Sequence, residues 1–140
     1  MIHHNFVQVR WDDLDAFGHI NNAAYLTFVQ EARADFTWYS RKSNGETPIF
    51  ADMVVARAEI DYLEPIYEGG TEVDVAISVT RLGNASFELF YEISRDGVIH
   101  ARAKTVQVTV SMETKKSRPL NDEERNFLTP YLTDPLKGNE

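Results

Sequence analysis

The 140-residue chain has no cysteine. That absence removes disulfides, thiolate nucleophiles and every Cys-based zinc or iron–sulfur site, so the fold must stand on packing alone. Basic residues are scarce as well: 14 Lys plus Arg face 22 Asp plus Glu, a formal net charge of −8. A surface of that sign does not wrap nucleic acid, because a general electrostatic footprint on phosphates requires the opposite field. The sequence has no run of about 18 apolar residues to span a membrane, and no basic lead into an apolar stretch at its N-terminus. The expectation is a soluble, cytoplasmic protein with neither a nucleic-acid nor a membrane partner. Also missing are a Gly-x-Ser-x-Gly elbow, a phosphate-binding glycine loop before Lys-Ser/Thr, and a dinucleotide fingerprint. No cofactor is implied.

What is present suffices for a core. Hydrophobic residues make up 43% of the chain, including eight Phe, six Tyr and two Trp, and 140 residues fit one domain over 1–140. A short strand is expected at Phe6 to Trp11. His3 and His4 precede it as a polar lead-in, since adjacent side chains on an extended chain diverge and do not make a metal pair. From Tyr25, apolar residues recur at Phe28, Val29, Ala32, Phe36 and Tyr39, the stripe of an amphipathic helix. Asn21 and Asn22 are candidate N-caps, and Ser43, Asn44 and Gly45 punctuate the far end, giving about 18 residues or about 27 Å.

From Met53 to Met112 the pattern alternates with period two, as strands with one buried face do. Val54, Ala56, Ala58, Ile60 and Tyr62 form one expected buried face; Val73, Val75, Ile77 and Val79 form a second, and Phe87, Leu89, Tyr91 and Ile93 a third. Gly69-Gly70 and Gly83-Asn84 read as turns, and Asp96-Gly97 is the strongest hairpin signal. The last strand, Val98 to Met112, switches phase between Ala103 and Val106, which predicts a bulge or a change in what covers each face. Asn121 and Glu124 form a capping-box pattern for a short helix near Asp122 to Leu128. The order predicts an α+β fold: a curved antiparallel sheet wrapped around one long central helix. Its edge strands need cover, most simply from a second copy of the chain, so a homo-oligomer is expected.

The chemistry concentrates between Arg10 and Tyr25. Asp12, Asp13 and Asp15, then Gly18, His19, Asn21 and Asn22, lie in a connection that leads directly into the helix. The first amides of a helix lack internal partners, and with the macrodipole they form a site for developing negative charge. A docked acyl carbonyl would be polarised there. A carboxylate just upstream is suited to attack that carbonyl or to activate a water. Asp12 and Asp13 read as solvated turn residues, because adjacent loop carboxylates repel unless exposed or paired. His19 reads as a hydrogen-bonding or orienting group beside Asp15. Glu31 reads as a surface residue of the helix. The spacing of Asp12, Asp13, Asp15 and His19 matches neither a calcium loop nor a zinc set, so no metal is expected.

The string Asp15-Ala-Phe-Gly-His-Ile-Asn-Asn-Ala-Ala-Tyr25-Leu, followed by Glu31-Ala-Arg33, resembles the hotdog-fold acyl-CoA thioesterases of the 4-hydroxybenzoyl-CoA thioesterase type. The likeness continues through Ile60-Asp-Tyr62-Leu-Glu-Pro65-Ile, Gly69 and Arg118-Pro119. The resemblance implies a hotdog fold and hydrolysis of an acyl-CoA to a free acid and CoA. Asp15 then matches the catalytic aspartate, as nucleophile or as general base. Asn22 falls where a backbone amide polarises the thioester carbonyl, and Tyr25 matches a first-turn tyrosine. Phe17, Gly18, His19, Tyr25 and Phe28 are the expected substrate-binding residues. The aromatic-acyl members carry a bulkier set around Phe17 to Asn22, so acyl specificity does not transfer; the His-Ile-Asn-Asn form is typical of long-chain and uncharacterised bacterial members. Two alternatives stay open: a non-catalytic acyl-CoA or acyl-carrier binding protein, and a hydratase that uses Asp15 and His19 as an acid–base pair. The acid excess also conceals a basic stretch, in which Arg102, Lys104, Lys115, Lys116 and Arg118 face only Glu113. These five are the expected contacts for CoA phosphates, although alternation along a strand splits the first two from the rest.

Overall fold

The computed structural model describes residues 1–50 and 52–133, so the last seven residues of the expected domain lie outside the described residues. Strand β1 (His3–Gln8) leads through a 3-10 turn at Trp11–Asp13 to helix α1 (Asn22–Ala34). One π-helical segment, Asp35–Tyr39, continues it into α2 (Ser40–Ser43). Four strands follow: β2 (Met53–Tyr62), β3 (Glu72–Leu82), β4 (Ser86–Arg95) and β5 (Val98–Thr109); α3 (Asp122–Leu128) comes last. All pairings are antiparallel, in the order β1-β3-β4-β5-β2. No described helix is long and apolar enough to cross a membrane.

The alternation on β3 and β4 sets the core. Val73, Val75, Ile77, Val79, Phe87, Leu89, Tyr91 and Ile93 are completely buried, each burial contributing about 1.5–3 kcal/mol of transfer free energy. The helix stripe meets that face with Tyr25, Phe28, Val29, Ala32 and Phe36. Asp96 and Gly97 both have positive φ, 52° and 79°, as a two-residue turn between right-twisted strands requires. Asn121 and Glu124 exchange the two hydrogen bonds of a capping box at 2.8 Å each, where the sequence predicts them.

Three expectations need correction. The first strand begins and ends earlier than Phe6 to Trp11, because Trp11 turns into the 3-10 segment. The predicted buried face of β2 is not buried: from Val54 to Tyr62 only Ile60 is even half-buried, because β2 is an outer edge of the sheet. The phase switch in β5 leaves the inward phase unchanged; Thr105, Gln107 and Thr109 continue the buried face of Ala101 and Ala103, while Val106 and Val108 lie half-exposed on the other side. These buried polar groups are satisfied within the fold. Tyr91 Oη lies 2.6 Å from Thr105 Oγ1, Thr105 bonds Gln107, Gln107 Nε2 donates to the Phe87 carbonyl at 3.1 Å, and Thr109 Oγ1 donates to the Arg118 carbonyl at 2.7 Å.

Candidate active site

The connection from β1 to α1 is held from below by Asp13. Contrary to the expectation of a solvated turn residue, its side chain is buried. Its carboxylate accepts the Arg10 N–H at 2.8 Å and Arg10 Nη2 at 2.9 Å, and Asp13 in turn holds the Arg10 guanidinium more firmly protonated than usual. The Asp13 carbonyl accepts the Asn21 N–H at 2.7 Å. The residue therefore ties the start of the loop to the N-cap of α1. Asp12 is exposed, as expected.

Between these anchors residues 15 to 19 make a tight reversal. Leu14 bridges Ile20, the Asp15 N–H donates to the His19 carbonyl at 2.9 Å, and the Gly18 N–H donates to the Asp15 carbonyl at 3.1 Å. Gly18 has φ +82°, a conformation costly to any residue with a Cβ. Asp15 Oδ1 accepts the Phe17 N–H at 2.8 Å, while Oδ2 lies 3.4 Å from His19 Nδ1. His19 Nδ1 is also 3.2 Å from the Ile20 carbonyl. A carbonyl only accepts, so this contact favours the proton on Nδ1.

Helix α1 begins at Asn22, and its first turn is capped selectively. Asn21 Oδ1 accepts the Ala23 N–H at 2.9 Å, and the Asn21 carbonyl accepts the Ala24 N–H at 2.9 Å. Among the described residues the Asn22 N–H has no acceptor, so it is available to an external oxygen. Asn22 lines a cavity of about 220 Å³ together with His19, Ile20, Tyr25, Tyr62 and residues 63–65. Burial pushes the Tyr25 hydroxyl above the ordinary phenol range, so it stays neutral and can donate or accept.

The structure thus brings His19, Asn22 and Tyr25 to one cavity, with Asp15 against His19. Asp15 and three of the expected substrate-binding residues, Phe17, Gly18 and Phe28, do not line it. Phe17 is 84% exposed, stacked over His19 at 6.2 Å. Phe28 is buried behind Tyr25, with ring centroids 5.7 Å apart, inside the core. The basic residues divide into two groups. Arg102 pairs with Glu92 at 3.0 Å, and Lys104 lies opposite Glu59. Lys115, Lys116 and Arg118 follow the other end of β5, about nine residues and about 30 Å along the strand from Ala101. Arg118 there bridges Asp52 at 3.0 Å and Glu124 at 2.9 Å, and those two carboxylates, Glu124 first, raise its already high pKa. Tyr62 is the cavity residue that alternation misassigned to the core; its place in the Ile60-to-Pro65 string is the signal that could have found it.

Comparison with known proteins gives the family and agrees with the fold. Residues 9–128 match the model of the thioesterase-like superfamily. The uncharacterised protein YsmA of Bacillus subtilis is 31% identical over 128 residues, spanning 89% of this chain and 83% of that protein. The long-chain acyl-CoA thioesterase FadM of Escherichia coli is 29% identical, spanning 87% and 93%. The 1,4-dihydroxy-2-naphthoyl-CoA hydrolase of Rippkaea orientalis is 26% identical, spanning 81% and 86%. Among solved structures, a Thermus thermophilus thioesterase complexed with coenzyme A and Zn superposes with a TM-score of 0.74 at 30% identity, covering 91% of this chain and 92% of that one.

Proposed function

The chain belongs to the thioesterase-like superfamily, and from that premise we propose that it hydrolyses an acyl-CoA thioester to the free carboxylic acid and CoA at the cavity beside the α1 N-terminus. One observation carries the residue assignment: a carboxylate held in the turn that feeds a helix start, whose first residue, Asn22, lines a cavity and has an N–H without a partner among the described residues. In this reading the thioester carbonyl docks on the Asn22 N–H. Asp15 either takes a proton from an attacking water or attacks the carbonyl carbon itself. Electrons move to the carbonyl oxygen, where the amide and the helix dipole stabilise them. Collapse then breaks the C–S bond. With water as nucleophile the free acid forms at once and the proton held by Asp15 passes to the CoA thiolate. Direct attack instead leaves the acyl group on Asp15 as an anhydride, which water hydrolyses to the free acid and Asp15 while solvent protonates the thiolate. Tyr25 and Tyr62 wall the acyl side, and the hotdog arrangement of sheet around α1 accounts for a cavity at the helix end. Likeness to a thioesterase bound to coenzyme A supports the CoA half. The named relatives act on a long-chain and on an aromatic acyl group, so both classes belong in the test, together with short chains. Thiol release by the purified protein on at least one of the three is expected. Saturable binding with no thiol release on any of them would leave a sensor and sink the enzyme assignment.

The same reading makes the protein a homodimer joined through β2. That strand is an outer edge with Val54 and Val55 half-exposed, a free ladder that soluble proteins cover. Two-fold pairing of β2 with its own copy is antiparallel. The Met53 end of the second copy, with its Lys115–Lys116 turn, then comes to the Tyr62 end of the first. That arrangement brings Lys115 and Lys116 of one copy toward Arg102 and Lys104 of the other and gives CoA phosphates a place to bind, while Arg118 stays engaged with Asp52 and Glu124. A CoA thioester is made and used inside cells, which supports a cytoplasmic location.

A further inference from the structure

One wall of the cavity belongs to neither the loop nor the helix. Tyr62 closes β2, and its hydroxyl donates to the Asn22 carbonyl at 3.0 Å. Its ring packs edge-on against Tyr25, with centroids 5.2 Å apart and planes at 81°. Tyr25 is itself fixed, buried and edge-on to Phe28. Tyr62 is 48% exposed, so a role in core packing does not account for this placement.

We infer that Tyr62 is a positioning residue for the thioester carbonyl: it holds the Asn22 backbone so that the free Asn22 N–H keeps its aim. The inference rests on the assignment of that N–H as the oxyanion donor. Two peptide units meet at the Asn22 Cα. One carries the free N–H; the other carries the carbonyl that Tyr62 grips. Asn21 fixes the next two amides, but among the described side chains only Tyr62 bonds the Asn22 backbone itself. Helix ends fray, and a hydrogen bond weakens steeply as its angle falls. Restraining the carbonyl limits rotation about Asn22 and so keeps the neighbouring N–H directed at a developing oxyanion. Tyr62 does this without touching the reacting atoms.

The decisive variant is Tyr62→Phe, which keeps the ring against Tyr25 and removes only the hydroxyl. A neutral hydrogen bond of ordinary net strength corresponds to a three- to tenfold effect. The expected result is a kcat lower by about that factor, with KM within about twofold of wild type and an unchanged Tm. Two unreactive CoA analogues separate positioning from packing. A ketone analogue, with methylene in place of sulfur, keeps the carbonyl; a thioether analogue lacks it. Tyr62→Phe should bind the ketone more weakly and the thioether as wild type does. Unchanged kcat, or equal loss on both analogues, overturns the inference, the second outcome making Tyr62 a pocket wall only. Tyr62→Ala provides the contrast, raising KM as well because the wall itself is lost. A wild-type protein that hydrolyses no thioester refutes the parent assignment and this one with it; an active wild type with unaltered Tyr62→Phe kinetics refutes this one alone.

Discussion

Asp15→Asn isolates the proposed chemistry from the fold. In the native loop Asp15 Oδ1 accepts the Phe17 N–H at 2.8 Å, a bond that an asparagine carbonyl reproduces. The other oxygen faces His19 Nδ1 at 3.4 Å, too long for a strong hydrogen bond, and both side chains are partly exposed. Replacing that oxygen with an amide therefore changes stability by less than about 1 kcal/mol. Catalysis loses its base or its nucleophile altogether. Removing a positioned general base costs about 10²- to 10⁴-fold, or about 2.7–5.4 kcal/mol of transition-state stabilisation at 1.36 kcal/mol per decade. The assay is thiol release with a chromogenic disulfide on the best acyl-CoA of the panel, alongside thermal unfolding of both proteins. A variant within tenfold of wild-type kcat/KM, with an unshifted Tm, would falsify the role of Asp15. A variant that loses activity and Tm together would show instead that the loop had come apart.

Further consequences follow from other parts of the molecule. Lysine at both Val54 and Val55 places like charges on the proposed dimer seam, so light scattering should report half the wild-type mass; an unchanged mass moves the interface away from β2. Arg118→Met strips the cation from Asp52 and from the nearly buried Glu124, and should cost about 1–3 kcal/mol in urea unfolding, while KM for the CoA substrate stays put because the guanidinium is already engaged. A raised KM without lost stability would return Arg118 to the phosphate site. Burial raises the Tyr91 phenol above its ordinary value near 10. Below pH 10 it is neutral in both states and its contribution is complete; above, the unfolded chain ionises first and stability falls, by at most about 1.4 kcal/mol per pH unit for this group. Tyr91→Phe should flatten the loss between pH 10 and 11, and an unchanged slope would assign that loss to other groups.

The parts of the fold that were legible are those where one residue faces one environment. On β3 and β4 one face joins the helix in the core, so alternation matches burial at Val73, Val75, Ile77 and Val79 and again from Phe87 to Ile93, with Ser78 buried out of phase beside the β3 bulge. The Asp96-Gly97 turn and the Asn121–Glu124 box depend on neighbours in sequence, and local chemistry decides them. Strand β2 failed for the opposite reason. Alternating valine, alanine and isoleucine record that some surface is covered, but not whether a chain covers it with its own helix or with another molecule. In β5 the switch from Ala103 to Val106 has two possible causes in sequence; the buried Thr105-Gln107-Thr109 row depends on distant partners, Tyr91 and the Phe87 carbonyl among them, that no local pattern specifies.

The candidate site divides along the same line. Asp15, Gly18, His19 and Asn22 lie within eight residues, and a turn feeding a helix start gathers them with no help from the rest of the chain. Asp13 stands beside another acid, which on its own predicts a solvated side chain, but its carboxylate bonds Arg10 three residues back and its carbonyl holds Asn21. Tyr62 enters from forty residues away, on the strand whose exposed edge calls for a second copy of the chain. If β2 is the dimer seam, the tyrosine proposed to steady the Asn22 amide stands on the element that association would order. Lysine at Val54 and Val55 should then lower kcat as well as mass, even though neither residue lines the cavity. A monomeric variant with full kcat would separate the two roles of β2 and leave Tyr62 acting within a single chain.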